Sequence, residues 1–177
     1  MSRAALLVLF LLAATAPGRA DVTNLVANGS FEISLDRPGL PDHWSAAGNR
    51  AISQQLTLET GRDDKRCVKL ACTEFAGDGP DFHVMLCQVG QVSVHRGQWY
   101  RLTFWAKAEG IKAGAVEVAL TDTRRWENAG LDEGFLPGAQ WQPFEFLFRA
   151  GAELPAVASR LQFWFRGTGL LWLDDVV

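Results

Sequence analysis

Tryptophans that alternate with apolar residues are the side chains of this sequence with the clearest capacity for chemistry. In Gly97–Ala108, GQWYRLTFWAKA, two rows alternate, one of Tyr100, Leu102, Phe104 and Ala106 and one of Arg101, Thr103, Trp105 and Lys107. Alternation with a period of two predicts a β-strand whose first row faces a core. An outward Trp105 is then either an exposed platform for stacking or a ring covered by a second layer or a loop.

Other stretches place polar and aromatic side chains opposite an apolar row in the same way. Aromatic rings stack, while amides, guanidinium groups and carboxylates donate and accept hydrogen bonds, so together they suit a neutral ligand. The candidate binding residues are Gln88, Arg101, Trp105, Glu117, Gln162, Trp164 and Arg166, followed by Trp44 and Trp126 in loops. Trp105 and Trp164 are the two predicted platforms, provided that their strands lie in one sheet. Trp99, Trp141 and Trp172 are interpreted as structural, and packing is the alternative for every tryptophan.

Catalytic chemistry has weaker support from the sequence. His43, His83 and His95 lie outside any nucleophile-elbow sequence. The acidic residues that could in principle hydrolyse a glycosidic bond are Glu32, Glu117, Asp122, Glu145 and Asp174. Nothing in their spacing brings two of them together, so no catalytic residue is assigned.

Carboxylates near the two ends of the chain suggest a different kind of site. Glu32 follows a turn near the start, and Asp174 and Asp175 end the last apolar run. In a jelly roll the first and last strands commonly lie close together, and carboxylates with nearby carbonyls form a hard oxygen site that suits calcium. The alternative is that these acids cap turns by accepting hydrogen bonds from backbone N–H groups.

The hydrophobic pattern along the chain indicates the elements that must position these residues. Short alternating runs separated by Gly, Pro, Asn and Asp predict about eight or nine β-strands and no long helix. Two of the apolar rows are Phe144, Phe146 and Phe148, and Leu161, Phe163 and Phe165. Thr121–Gln140 is predicted to be a long polar loop that holds Trp126. The pattern is typical of an all-β sandwich or jelly roll.

Residues 1–20 are predicted to form a secretory signal peptide. Arg3 precedes the apolar run Ala4–Ala16, and Gly18–Ala20 supplies small residues for cleavage near Ala20; a membrane anchor is the alternative. Residues 21–177 are then one secreted or cell-surface domain. Without Arg3 and Arg19 the 17 basic residues fall to 15 against 20 acidic ones, a net charge of −5. This balance argues against a nucleic-acid partner and suits a neutral ligand.

The sequence contains three cysteines, Cys67, Cys72 and Cys87, and does not decide whether two of them form a disulfide. Cys67 and Cys72 fall on opposite faces of one predicted strand, so they cannot bridge each other. Cys72 and Cys87 could form a disulfide if their strands pair, and three buried free thiols are the alternative.

Six motifs occur in order along the chain. They are NLVANGSFE (Asn24–Glu32), PDHWS (Pro41–Ser45), VKL (Val68–Leu70), QVGQVSVHRGQWYRLTFWAKA (Gln88–Ala108), WQPFEFLF (Trp141–Phe148) and LWLDDV (Leu171–Val176). This ordered set resembles the CenC-type carbohydrate-binding modules of families four and nine. The resemblance covers essentially the whole chain after the signal peptide, while the cysteines and the long loop with Trp126 depart from the family pattern.

The resemblance implies a galactose-binding-like jelly roll, a β-sandwich of two antiparallel sheets, that binds polysaccharide without catalysis and is associated with a glycoside hydrolase. It also implies a structural calcium ion. Glu32 and Asp174 match the ligand acids, and carbonyls near Asn28 and in Gly61–Arg66 would complete the shell. The alternatives are a hydrolase acting on glycosyl bonds, through this domain or a downstream one, and an adhesion or scaffolding domain that binds protein.

Overall fold

The computed structural model describes residues 23–79, 81–111 and 116–177. The predicted signal peptide, residues 1–20, lies outside this part of the chain. None of the helices in the described ranges is long and apolar enough to cross a membrane.

Ten β-strands form two five-stranded sheets. The strands are β1 (Trp44–Ala47), β2 (Ile52–Thr60), β3 (Arg66–Phe75), β4 (Val84–Val89), β5 (Trp99–Glu109), β6 (Val116–Asp122), β7 (Glu127–Phe135), β8 (Gln142–Arg149), β9 (Ser159–Phe165) and β10 (Gly169–Asp174). Sheet A has the order β1-β4-β9-β6-β7, and sheet B has the order β2-β3-β10-β5-β8. All paired strands are antiparallel. The predicted all-β sandwich of two antiparallel sheets is therefore confirmed.

The core between the sheets is built from the apolar rows that the alternation predicts. Leu102, Phe104 and Ala106 of β5 are buried, whereas Arg101 on the opposite face is exposed. The ring centroid of Phe104 in sheet B lies 5.0 Å from that of Phe163 in sheet A, with an interplanar angle of 82°. Edge-to-face pairs of this kind stabilise a core beyond the area that they bury. Phe104 thus ties the two sheets together.

The predicted loop Thr121–Gln140 contains a strand that the sequence pattern did not reveal. β7 pairs with β6 at the edge of sheet A, and its inward side chains Ala129, Leu131 and Phe135 are buried. The loop prediction was wrong because the other residues of β7 are mainly Gly, Asp, Glu and Asn, which are depleted in strands. At a sheet edge, packing of a few inward side chains outweighs that low propensity.

Two residues predicted to bind a ligand belong to the interior instead. Trp44 is fully buried, and its indole N–H donates to the carbonyls of Ala27 at 3.1 Å and Asn28 at 3.2 Å. Gln88 is also fully buried, and its side chain accepts a hydrogen bond from the N–H of Ala27 at 3.0 Å and donates to the carbonyl of the same residue at 2.6 Å. Both predictions were wrong, because these side chains satisfy the backbone of the Ala27–Asn28 turn.

The structure decides between the disulfide and the three free thiols that the sequence left open. Cys67, Cys72 and Cys87 are all buried and free. Cys72 lies in sheet B and Cys87 in sheet A, so their strands do not pair. Burial raises the pKa of each thiol, that of Cys67 to about 12. All three therefore remain protonated and unreactive at neutral pH.

Trp44→Ala is expected to lower the free energy of unfolding by about 3–5 kcal/mol, because it removes a large buried ring. Trp99→Ala is the matched control, since the Trp99 side chain is 63% exposed, and its effect should stay within about 0.5 kcal/mol. Urea unfolding curves of the two variants give both values. Equal losses would contradict the placement of Trp44 in the core.

Candidate functional site

The outer face of sheet A carries Trp164 at the centre of a row of directly opposed residues. Met85 of β4 and Glu117 of β6 lie on either side of Trp164. Gly134 of β7 faces Glu117 from the far side. Gly134 therefore contributes no side chain beside Glu117 on this face.

The next row on the same face is polar and holds a small residue at its centre. Gln162 of β9 lies between Cys87 and Ala119, and Asp132 of β7 lies beyond Ala119. Arg160 occupies the following row of β9, opposite Thr121. The Gln162 amide therefore lies two residues from Trp164 along β9, the Glu117 carboxylate lies directly across from Trp164, and the Arg160 guanidinium lies four residues away along the strand.

Two buried polar atoms of this face have no hydrogen-bond partner among the described residues. They are Oε1 of Gln162 and Nε of Arg160. Leaving such an atom unpaired costs roughly 1–3 kcal/mol, so it is retained where water or a ligand completes the bond. An acceptor and a donor on neighbouring rows match the dual hydrogen-bonding capacity of a hydroxyl group.

A second indole borders this face. Trp126 lies in the β6–β7 connection with its side chain 65% exposed, and the guanidinium carbon of Arg160 is 4.7 Å from its ring centroid. Its backbone φ of 59° falls in the left-handed region, and its N–H donates to the carbonyl of Asp122 at 2.7 Å. A large residue held in this conformation is a feature that often marks a functional position.

The surroundings of Glu117 raise the pKa of its carboxyl group. Burial raises the pKa of its carboxyl, the charge of Asp132 raises it further, and Arg166 opposes both. Arg166 itself donates to the carbonyls of Asp78 at 2.7 Å and Gly79 at 2.9 Å, which fastens the β3–β4 loop beside the site. His83 from the end of that loop lies 5.8 Å from the Trp164 ring.

Trp105 and Trp164 were predicted to act as platforms together provided that their strands lie in one sheet, and the two strands lie in different sheets. β5 lies in sheet B and β9 in sheet A, so the two indoles are on opposite outer faces of the sandwich. The guanidinium carbon of Arg62 lies 3.6 Å from the Trp105 ring centroid and covers one side of the ring. Arg101 is exposed on the same face as Trp105. Neither residue can contact a ligand that lies on Trp164.

The structure places four of the predicted binding residues, Trp164, Gln162, Glu117 and Arg166, on or next to the outer face of sheet A with Trp126 at its border, together with neighbours that the sequence did not single out. Arg160 follows the same period of two as Gln162 and Trp164, so the pattern could have identified it. Asp132 could not be found in this way, because its strand was interpreted as a loop.

The predicted calcium ligands lie in a different region, at the corner where the chain ends meet. Oε1 of Glu32 accepts the N–H of Arg66 at 2.8 Å. Asp174 is 2% exposed, and burial followed by the charge of Asp175 raises its pKa to about 6. Arg62 pairs with Asp175 at 3.2 Å rather than with Asp174. Among the described residues, no group of three or more His, Cys, Asp or Glu side chains could hold a metal ion.

The fold is that of carbohydrate-binding modules. A module described as CBM4 is 21% identical over 77% of this chain and 94% of its own length, with a TM-score of 0.59. The N-terminal cellulose-binding domain of Cellulomonas fimi β-1,4-glucanase C is 18% identical over 88% and 95%, with a TM-score of 0.61. The family 11 carbohydrate-binding module of the Clostridium thermocellum cellulase Lic26A-Cel5E is 12% identical over 84% and 89%, with a TM-score of 0.55. No protein-family model and no curated protein matches the sequence.

Asp132→Asn is expected to lower the pKa of the Glu117 carboxyl, because it removes the negative charge that opposes ionisation of Glu117. Arg166→Gln is expected to raise the same pKa, because it removes a favourable positive charge. Carboxyl-carbon NMR titration of the wild type and both variants measures the shifts. A Glu117 pKa that stays the same in both variants would mean that these charges lie too far away to act.

Proposed function

We propose that this protein is an exported, non-catalytic carbohydrate-binding module of the CenC type that binds a polysaccharide on the outer face of sheet A. The observation that carries the proposal is the outward row of β9, in which Trp164 is followed by Gln162 and then by Arg160, since Oε1 of Gln162 and Nε of Arg160 are buried without a hydrogen-bond partner among the described residues. An aromatic platform bordered by an unsatisfied acceptor and donor is the arrangement that a sugar ring requires.

The chemistry of a pyranose explains this match. Its axial C–H face is apolar and packs on an indole, while its hydroxyls are neutral and both donate and accept hydrogen bonds. Glu117 and Asp132 add acceptors on one side of Trp164, and Arg160 adds donors. Trp126 offers a second ring near Arg160, where a further sugar of the same chain could stack.

The descriptions of the similar structures support this proposal. Two are described as carbohydrate-binding or cellulose-binding domains of a glucanase and a cellulase. By analogy, we propose that this module holds an attached or partner glycoside hydrolase against its polysaccharide. Export through residues 1–20 places both at the cell surface or outside the cell, where such substrates occur.

Trp164→Ala is expected to weaken polysaccharide binding by about 1–3 kcal/mol, which is roughly 5- to 150-fold in Kd, because it removes the central ring. Trp105→Ala is the matched control on the opposite face and should leave the Kd unchanged. A glycan array identifies the ligand, and affinity electrophoresis and calorimetry on it measure the two variants alongside their melting temperatures. Loss of binding in Trp105→Ala with normal binding in Trp164→Ala would place the site on sheet B.

The purified domain is expected to release no reducing sugar above background from a panel of plant and algal polysaccharides. Glu117 and Asp132 are the pair most relevant to this test, since a glycosidase needs two carboxylates and one of raised pKa. Turnover that disappears in Glu117→Gln would establish a hydrolase in place of a binding module.

We further propose a structural calcium ion at the corner of the chain ends. The supporting observation is the buried carboxylate of Asp174, whose pKa is raised to about 6 by burial and by the charge of Asp175. Asp174 and Glu32 would supply carboxylate oxygens, and carbonyls near Asn28 and in Gly61–Arg66 would supply the rest. A bound calcium ion would neutralise this buried charge.

Calcium is expected to raise the melting temperature relative to EDTA, by an amount that grows with its concentration, because only the folded state binds it. Asp174→Asn should remove most of this increase, and the exposed Asp81→Asn should retain it. Differential scanning calorimetry in calcium and in EDTA compares the three proteins. Identical melting curves of the wild type in both buffers would refute the calcium site.

A further inference from the structure

Arg160, on the outer face of sheet A, is a half-buried arginine whose guanidinium has no partner for its charge. Its side chain makes no hydrogen bond or ion pair with any described residue. Among the described arginines, three others also lack such a partner, and all three are exposed to water, namely Arg50, Arg101 and Arg125. Arg160 is therefore the one described arginine whose unpaired charge is partly withdrawn from water.

No negative charge within the described ranges balances Arg160. Burial lowers the pKa of its guanidinium, and the one charge that opposes this shift belongs to Cys87. Burial raises the pKa of the Cys87 thiol, so that group is uncharged at neutral pH. Asp122, at the end of the neighbouring strand β6, is paired with Arg124 at 2.7 Å. A guanidinium stays protonated in proteins, so its burial is favourable only where a partner compensates for the lost water.

An aromatic ring holds this guanidinium in place. Its central carbon lies 4.7 Å from the ring centroid of Trp126, a cation–π contact that compensates in part for the lost water. Nε of Arg160 is buried, whereas neither terminal nitrogen belongs to the buried unpaired atoms of the described residues, so both remain open to solvent. The neighbours of Arg160 across the sheet, Val89 and Thr121, carry no charge. The terminal nitrogens are thus a positioned and accessible pair of donors for an anion.

We propose that the polysaccharide bound on sheet A is acidic and that Arg160 binds the anionic group of one of its sugars. This inference rests on the proposed glycan site and specifies the class of its ligand. A uronate carboxylate and a sulfate ester both present two oxygens that accept parallel hydrogen bonds from the terminal nitrogens of a guanidinium. Either group supplies the counter-charge that Arg160 lacks among the described residues.

The distribution of charge over this face determines which sugar carries the anionic group. Four residues of β9 separate Arg160 from Trp164, which is about 13 Å at about 3.3 Å per residue. Glu117 lies beside Trp164, and Asp132 lies in the next row, where both repel an anion and accept hydrogen bonds from neutral hydroxyls. The overall charge of the chain predicted a neutral ligand, and the Trp164 end fits that expectation. The acidic sugar therefore lies at the Trp126 end.

Matched pairs of oligosaccharides test this ligand class. The carboxylated probes are oligogalacturonate, oligomannuronate and a xylo-oligosaccharide with one glucuronic acid branch, each compared with its carboxyl-reduced neutral form. The sulfated probe is a galactan oligosaccharide, compared with its desulfated form. Calorimetry on the purified domain measures each Kd. We expect at least one acidic glycan to bind at least about tenfold more tightly than its neutral form, because the charge-assisted bonds are lost in the neutral one. The carboxylated and sulfated pairs identify the anionic group.

Arg160→Gln should bind the acidic and neutral forms with similar Kd, because it removes the charge and keeps a polar side chain. Arg101→Gln makes the same change of charge on the opposite outer face and should keep the preference for the acidic form. Trp164→Ala should weaken binding of both forms alike, because it removes the ring and not the charge. Melting temperatures of the three variants show whether each remains folded.

Equal binding of acidic and neutral forms by the wild type, with binding still lost in Trp164→Ala, would overturn the inference and leave the glycan site intact. This comparison needs no Arg160 variant, so it decides the matter even if Arg160→Gln does not fold. A preference for the acidic form that persists in folded Arg160→Gln would overturn the role of Arg160. Absence of binding to every glycan, acidic or neutral, would overturn both this inference and the proposed function.

Discussion

The contact of Phe104 with the facing sheet is the interaction on which the rest of the structure depends. Phe104 packs edge-to-face on Phe163, and it also contacts Phe135 of the edge strand β7 at 5.0 Å. Phe163 lies between Gln162 and Trp164 on β9, and period-two alternation forces these two neighbours outward. The packing of one inward ring therefore determines which face of β9 carries the candidate site.

The two outer faces of the sandwich contain similar residue types but differ in how fully they are paired. On sheet B, Glu59 accepts hydrogen bonds from Lys69 and from the indole of Trp172. Lys107 lies over the rings of both Trp172 and Trp141. These tryptophans already have cationic or carboxylate partners within the chain. Among the described residues, sheet B has one buried polar side-chain atom without a partner, Oγ1 of Thr57, whereas sheet A has two, on Gln162 and Arg160 in the same strand as Trp164, and the glycan proposal therefore concerns sheet A.

Local patterns in the sequence were sufficient for most of the strands, the fold class and the outward direction of Trp164. They were insufficient wherever the outcome depended on a residue far along the chain. Gln88 has the composition of a surface residue, but its partner Ala27 is 61 positions away. The separation of Trp105 from Trp164 depends on which sheet each strand joins, and alternation within a strand contains no information on that choice. Trp44 was misinterpreted for a related reason, since its four-residue strand is too short for a period to be recognised.

The unusual composition of β7 has a consequence for the behaviour of the protein in solution. As an edge strand, β7 has an outer side to which a second copy could add a strand and extend the sheet. Its exposed residues include Glu127, Asp132 and Glu133, and glycine occupies two further positions. Two such edges brought together would place like charges opposite each other, and the glycines add no side-chain packing to hold them. The same residues that concealed β7 as a strand thus protect the sandwich from edge-to-edge aggregation.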